Sequence, residues 1–144
     1  MKILYVTTIS NTTNAFLIPH IKFLIEQGYK VDVAFNIQQE VDSQLIRLGC
    51  KIYNIEFQRS LVNKENYMSY KKIKKIIKTE KYDIIHTHTP IASACVRIAC
   101  KGLKNTKILY TAHGFHFYKG APLKNWVLYY PIEKWLSRYT DCLI

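Results

Sequence analysis

Two short apolar runs that stop abruptly in histidines constrain this chain more than any other feature. One is Asp83-Ile84-Ile85-His86-Thr87-His88-Thr89-Pro90, and Tyr110-Thr111-Ala112-His113-Gly114-Phe115-His116 echoes it. An apolar run of this length reads as a strand buried on both faces, the kind found in parallel sheets. Its last residues then lie at the strand's carboxyl end, where open α/β sheets place their ligand crevice. Four of the five histidines fall in these two segments, so a polar site is expected there.

The rest of the chain alternates in the same way. Strands are predicted over 2–7, 31–35, 51–55, 83–86, 107–111 and 141–144. Helices are predicted over 15–27, 40–48, 66–79, 91–101 and 123–137. Gly28, Gly49 and Gly102 stand where three of the helices stop. Within 15–27 the apolar side is read as Phe16, Ile21, Leu24 and Ile25. Pro19 there is compatible only with a first turn, so regular helix should begin near Leu17 or Ile18. Pro131 should kink the last helix. Strands separated by helices give an α/β fold, a Rossmann-like doubly wound parallel sheet of about six strands with helices on both faces. Residues 1–144 read as a single domain. The pattern stops inside the apolar run at Ile144, which suggests one piece of a longer protein.

Composition narrows the function classes. Of the 144 residues 49% are hydrophobic and 22% charged, which suits a globular domain and not a disordered one. No apolar run approaches a membrane span. The opening Met1-Lys2-Ile3-Leu4-Tyr5-Val6 reads as a first strand rather than a secretory signal, so a cytoplasmic protein is expected. Cys50, Cys95, Cys100 and Cys142 lack paired spacing and lie in apolar contexts, which predicts buried thiols. A net charge of +11 favours anionic partners such as nucleic acid, an anionic membrane surface or phosphorylated ligands.

The candidate groups follow. The segment Thr8 to Asn14 is expected to be a loop at the crevice, and Asn11, Thr12 and Thr13 could hydrogen-bond sugar hydroxyls or a phosphate; the same residues are also ordinary helix caps. The glycines of a dinucleotide fingerprint are absent, which argues against a nicotinamide or flavin enzyme. His86 and His88 line the crevice in one reading, one projecting inward and one supporting the loop. In another they chelate zinc with His113 or His116, although no carboxylate accompanies them. Gly114 frees the backbone beside His113, whose ring can then donate to or accept from a ligand. Phe115, Phe117 and Tyr118 supply flat apolar faces nearby, with core the preferred reading for the two phenylalanines. From Lys64 to Lys81 a lysine-rich segment carries Ile73, Ile76 and Ile77 at helical spacing. Tyr67, Lys71, Lys72, Lys74 and Lys75 could face an anionic bilayer, or simply water.

These residues, together with Tyr129-Tyr130-Pro131-Ile132-Glu133 and Tyr139-Thr140-Asp141-Cys142-Leu143-Ile144, resemble the amino-terminal half of GT-B glycosyltransferases of family 4, above all those of bacterial capsule and exopolysaccharide clusters. The resemblance covers the whole chain. It implies a two-domain enzyme in which this half receives the acceptor. A carboxyl-terminal half, not contained in these residues, would bind the nucleotide-sugar donor. It further implies retention of anomeric configuration, no metal and no cofactor, with the nucleotide sugar as substrate. The residues matching His113 and its neighbour Gly114 would meet the donor sugar. Those matching His86 and His88 would belong to the acceptor wall, with His116 nearby. Asn11-Thr12-Thr13-Asn14 departs from the glycine pair common in the family and suits a polar, acceptor-facing role. Acceptors in such pathways are commonly sugars on a polyprenyl diphosphate. This implies a peripheral enzyme at the inner face of the cell membrane, without nucleic acid as a partner. The fragment alone is expected to be inactive. The rivals read from the residues are a zinc-dependent hydrolase built on the histidines and a basic nucleic-acid-binding module.

Overall fold

The computed structural model describes residues 1–60 and 63–144. Six strands form one sheet: β1 (Lys2–Ile9), β2 (Lys30–Asn36), β3 (Ile52–Asn54), β4 (Ile84–His88), β5 (Lys107–Thr111) and β6 (Cys142–Leu143). All neighbours pair in parallel, in the order β3-β2-β1-β4-β5-β6. β1 is central, and every residue from Ile3 to Ile9 is buried. That is why its sequence is apolar without alternation.

The helical segments are α1 (Ser10–Thr12), a π-helical stretch Thr13–Leu17, α2 (Ile18–Glu26), α3 (Ser43–Arg47), α4 (Glu65–Glu80), α5 (Pro90–Ala99) and α6 (Leu123–Leu136), followed by a 3₁₀ turn Ser137–Tyr139. Two cores result. One joins α2 and α3 to the sheet through Ile18, Ile21, Leu45, Tyr5 and Val33. The other joins α4 and α5 to the opposite face through Ile73, Ile77, Val96, Leu4 and Ile85. α6 lies against α5, where Glu133 receives two hydrogen bonds from Arg97. The sheet is therefore doubly wound, as its alternation of strands and helices predicts.

Several local expectations are corrected. β1 runs to Ile9, and the expected loop from Thr8 to Asn14 is instead the strand end and helix from Ser10 onward. The extra turn is π-helical because regular helix can start only where Pro19 has no amide partner to lose, at Ile18. That change of pitch rotates the apolar side: Leu17 and Ile18 are buried, while Phe16 is 66% exposed. β4 continues past His86 to His88, so both histidines are strand residues. Cys50, Cys95 and Cys100 are buried as predicted, but Cys142 is exposed. At the sheet's amino edge, Lys2 bonds Glu80, and buried Asp32 accepts from Tyr82 Oη at 2.8 Å and from Lys51 N at 3.0 Å. This network closes the edge opposite the site.

Candidate functional site

The strand order reverses between β1 and β4, and in doubly wound sheets the crevice opens at the carboxyl ends of the strands beside such a reversal. Thr8 and Thr89 meet there. Thr89 Oγ1 accepts from Thr8 N at 3.0 Å, lies 2.6 Å from Thr8 Oγ1 and donates to the His88 carbonyl. Thr89 has φ +68° and ψ 140°, a strained backbone for a β-branched residue, held by those bonds. Strain of this kind concentrates where side chains must be held in place for function.

On the α2 side of β4 the imidazoles form a ladder. The His86 and His88 ring centroids are 4.3 Å apart, and Tyr5 lies 4.9 Å from the first and 5.8 Å from the second. They share this face because residues two apart in a strand point the same way. His86 Nε2 pairs with Thr111 Oγ1 at 2.8 Å, and His88 Nδ1 pairs with His113 Nε2 at 3.1 Å. Burial, reinforced by the neighbouring histidines, depresses the pKa of His86 to about 4 and that of His88 to about 3. Both rings are therefore neutral at pH 7.

Neutrality fixes the direction of the His88–His113 bond. His88 Nε2 is buried without a partner. A buried unpartnered N–H is harder to accommodate than an unpartnered acceptor. The proton thus belongs on His88 Nδ1, which donates to His113 Nε2. Because His113 Nε2 accepts, the other ring nitrogen, Nδ1, is its donor. His113 is exposed, so this N–H can serve as a donor to a ligand. Gly114 follows at φ +130°, and a Cβ there would meet nothing within 4 Å. Glycine is needed for the backbone turn rather than for close approach.

On the α5–α6 side a cleft of about 500 Å³ opens, lined among others by Thr8, Thr12, Arg59, Ser60, Thr89, His116, Tyr129 and Glu133. His116 does not join the ladder; its ring stacks obliquely on Tyr129, with centroids 4.5 Å apart. Of the three candidates in the first helical turn, only Thr12 lines the cleft. Thr13 is buried and bonds Thr7 Oγ1 at 3.0 Å, which makes it a strut for the end of β1. Asn11 Oδ1 is buried without a partner. Phe115 and Phe117 stack with centroids 4.9 Å apart, and Phe117 meets Tyr130 edge-on at 5.4 Å, so both phenylalanines serve packing beneath α6. Tyr118 is 61% exposed.

Among the described residues no group of three or more His, Cys, Asp or Glu could hold a metal ion. The zinc reading loses its ligand set, because the imidazoles are stacked and hydrogen-bonded to one another instead of converging on a point. On α4, Tyr67, Lys71, Lys72 and Lys75 are exposed and Lys74 is half-buried. Lys72 pairs with Glu56 at 2.8 Å, and Lys74 donates to Tyr70 Oη at 2.9 Å. Among the described residues no helix is long and apolar enough to cross a membrane.

Thr8, Thr89, Arg59 and Glu133 were not singled out as candidate site residues in the sequence. Thr8, Thr89 and Glu133 did lie in segments that the sequence marked, namely Thr8–Asn14, Asp83–Pro90 and Tyr129–Glu133, whereas Arg59 carried no signal. The partner of Glu133, Arg97, a lone charge within Ala94-Cys95-Val96-Arg97-Ile98-Ala99, was legible as an anomaly in an otherwise apolar helix.

A parallel sheet in the order 3-2-1-4-5-6, with a cleft at its reversal point, defines a Rossmann-like domain of the kind that takes ligands at its carboxyl edge. The chain belongs to the glycosyl transferase 4-like family, whose pattern matches residues 2–144. It is 45% identical over 148 residues to the Bacillus subtilis (strain 168) protein named "Putative glycosyltransferase EpsD", covering 99% of this chain. It spans 37% of the length of that relative. Among solved structures, it superposes on the Neisseria meningitidis UDP-GlcNAc 2-epimerase with a TM-score of 0.71 at 14% identity, over 100% of this chain and 39% of that one. With Acinetobacter baumannii MurG the TM-score is 0.64 at 13% identity, over 99% of this chain and 40% of that one. At such identities the structural likenesses speak for the fold alone. They bear out the fold class, and the family match bears out the resemblance read from the histidine motifs.

Proposed function

We propose that this chain is the acceptor-side half of a glycosyltransferase that transfers a sugar from a nucleotide sugar, with retention, to a sugar acceptor in surface polysaccharide synthesis. A second half would carry the nucleotide. The observation that carries the reading is the His88–His113 hydrogen bond at the carboxyl edge of β4 and β5. It presents an Nδ1–H donor at the edge where the crevice opens. Family membership and the name of the Bacillus subtilis relative support the same activity. Thr12, Thr8, Thr89 and His116 supply hydroxyl and imidazole groups suited to acceptor hydroxyls. In this reading His113 orients the donor sugar and His86 and His88 hold it in place from behind. The acceptor is lipid-linked, and the basic α4 lies at an anionic membrane surface on the cytoplasmic side.

The test is His113→Ala in the intact protein. Loss of one donor to the reacting sugar should lower kcat by about 10²- to 10³-fold, while the fold survives the loss of the acceptor for His88 Nδ1–H. An unchanged rate of sugar transfer would remove His113 from the site.

A further inference from the structure

Around the end of β1 the hydroxyl protons of Thr7, Thr8, Ser10 and Thr13 are bonded within the protein. Thr89 Oγ1 donates to the His88 carbonyl and accepts from Thr8 N. A hydroxyl oxygen has one proton and two lone pairs. The 2.6 Å contact with Thr8 Oγ1 therefore takes the second lone pair of Thr89, and Thr8 is the donor in it. Thr7 repeats the pattern: it donates to the Ile9 carbonyl, so the proton of its 3.0 Å pair with Thr13 comes from Thr13. Ser10 Oγ donates to the Gln39 carbonyl and accepts from the amides of Gln38 and Gln39. Thr89 Oγ1 is thus saturated. Thr8 Oγ1 has no proton left to give, and among the described residues nothing donates to it, so its lone pairs are open.

Thr8 and Thr89 both line the cleft, at the point where doubly wound sheets commonly receive a phosphate on backbone amides. Two of those amides are withdrawn here. Thr8 N is bonded to Thr89, and Pro90, the first residue of α5, has no N–H. The donors that line the cleft are other residues, Arg59 and Thr12 among them. Thr89 holds its place at φ +68° and ψ 140°, close to a region that glycine alone visits freely. The chain nevertheless keeps a β-branched residue there. What threonine adds over glycine at this position is the hydroxyl that fixes Thr8.

We propose that Thr8 determines specificity at this point by hydrogen-bond polarity. Its Oγ1 accepts from a hydroxyl of the sugar acceptor and turns away phosphate oxygens, which meet its lone pairs with their own. Thr89 is the positioning residue that fixes this polarity, acting through Thr8 rather than by contact with the ligand. That the ligand is a sugar rests on the transferase reading above. The polarity itself follows from the bonds of Thr89 alone.

The test uses the intact protein with carbon-13-labelled threonine methyls, so that Thr8, Thr12 and Thr89 report binding in the cleft by NMR. The probes are the methyl glycosides of glucose, galactose and N-acetylglucosamine, and sulfate, a tetrahedral anion with no proton at pH 7. In the parent, at least one glycoside should shift the Thr8 methyl saturably and sulfate should not. Thr8→Val should weaken that glycoside about 10-fold, the loss of one hydrogen bond, and Thr8→Ser should restore it. Thr89→Gly frees both the amide and the hydroxyl proton of Thr8. Sulfate should then bind there at least about 10-fold more tightly than in the parent, a gain that misfolding does not mimic. Sulfate binding at Thr8 in the parent, no glycoside response, or glycoside binding indifferent to Thr8→Val would each overturn the proposal. In sugar transfer, Thr8→Val should raise the KM for acceptor about 10-fold and leave that for nucleotide sugar unchanged. The double variant with Thr89→Gly should be no worse, whereas additive losses would give Thr89 a ligand contact of its own and sink its positioning role. Sugar transfer with an unchanged acceptor KM in Thr8→Val would sink the polarity proposal and leave the transferase reading standing. Thr8-dependent glycoside binding in a protein that transfers no sugar would do the reverse.

Discussion

The Arg97–Glu133 pair makes an asymmetric prediction. Arg97 is 1% exposed and Glu133 17%. The guanidinium donates twice to the carboxylate, at 2.9 and 3.1 Å, and lies 4.4 Å over the Tyr110 ring. Removing the carboxylate by Glu133→Leu strands a charge that cannot shed its proton and cannot reach water. Leaving a buried charge unpaired costs about 3–5 kcal/mol. Removing the guanidinium by Arg97→Met instead leaves a carboxylate at the cleft wall that can take up water or a proton. The loss is then about 1 kcal/mol of cation–π contact plus a partial desolvation cost, about 2 kcal/mol in all. The double variant should recover to within about 1–2 kcal/mol of the parent, since well-packed apolar replacements of buried pairs are close to neutral. Urea unfolding of the 144-residue chain followed by circular dichroism reads all four states. In thermal melts Glu133→Leu should lower the midpoint by about 10 °C for a chain of this size. If Glu133→Leu is no more damaging than Arg97→Met, the buried guanidinium is not what makes the pair obligatory, and the reasoning fails.

Three further outcomes follow from the ladder and the turn beside it. His86 and His88 are held neutral at about 4 and about 3, whereas in the unfolded chain they titrate near 6.5. The unfolded state therefore binds more protons below pH 6.5, so their contribution is intact above that pH, falls as the pH drops and levels off near pH 3–4. For His86 alone the loss is about 3 kcal/mol at about 1.4 kcal/mol per pH unit. Urea midpoints at pH 7 and 4.5 should converge partly in His88→Asn, and an undiminished acid loss in that variant would count against the histidines. His88→Ala should lower kcat for sugar transfer about 10- to 100-fold with little change in KM, because His113 loses the bond that orients its Nδ1–H; a pure KM effect would assign His88 to binding. Gly114→Ala should destabilise by about 1–2 kcal/mol with no steric clash, because only the backbone angle is incompatible. An unchanged melt would show that the turn relaxes.

The site was partly legible before the fold was known. The histidine-terminated runs located the carboxyl edge of β4 and β5 because strands buried on both faces must be apolar and a change to polar residues marks their end. They did not show that His86 and His88 share one face with Tyr5 while Thr12 and His116 line a cleft on the other side. That division depends on β4 running two residues beyond His86. Thr13 was read as a ligand group but is a strut to Thr7. A hydroxyl near a helix start looks the same in sequence whether it points outward or inward.

What the sequence alone determined is local: element type and approximate position. Residues 107–111 form a strand at the predicted bounds, and the helices of residues 66–79 and 91–101 recur within one or two residues of prediction. Short-range periodicity and glycine stops suffice for these, because each residue's solvent exposure within its own element sets the pattern. Only the tertiary structure decided the pairings: β1 beside β4, His88 against His113, and Arg97 beneath Glu133. These join residues 25 to 81 positions apart, and no local pattern encodes which distant partner a strand edge or buried charge will meet. The partner is chosen when the whole sheet closes and every buried polar group must find one.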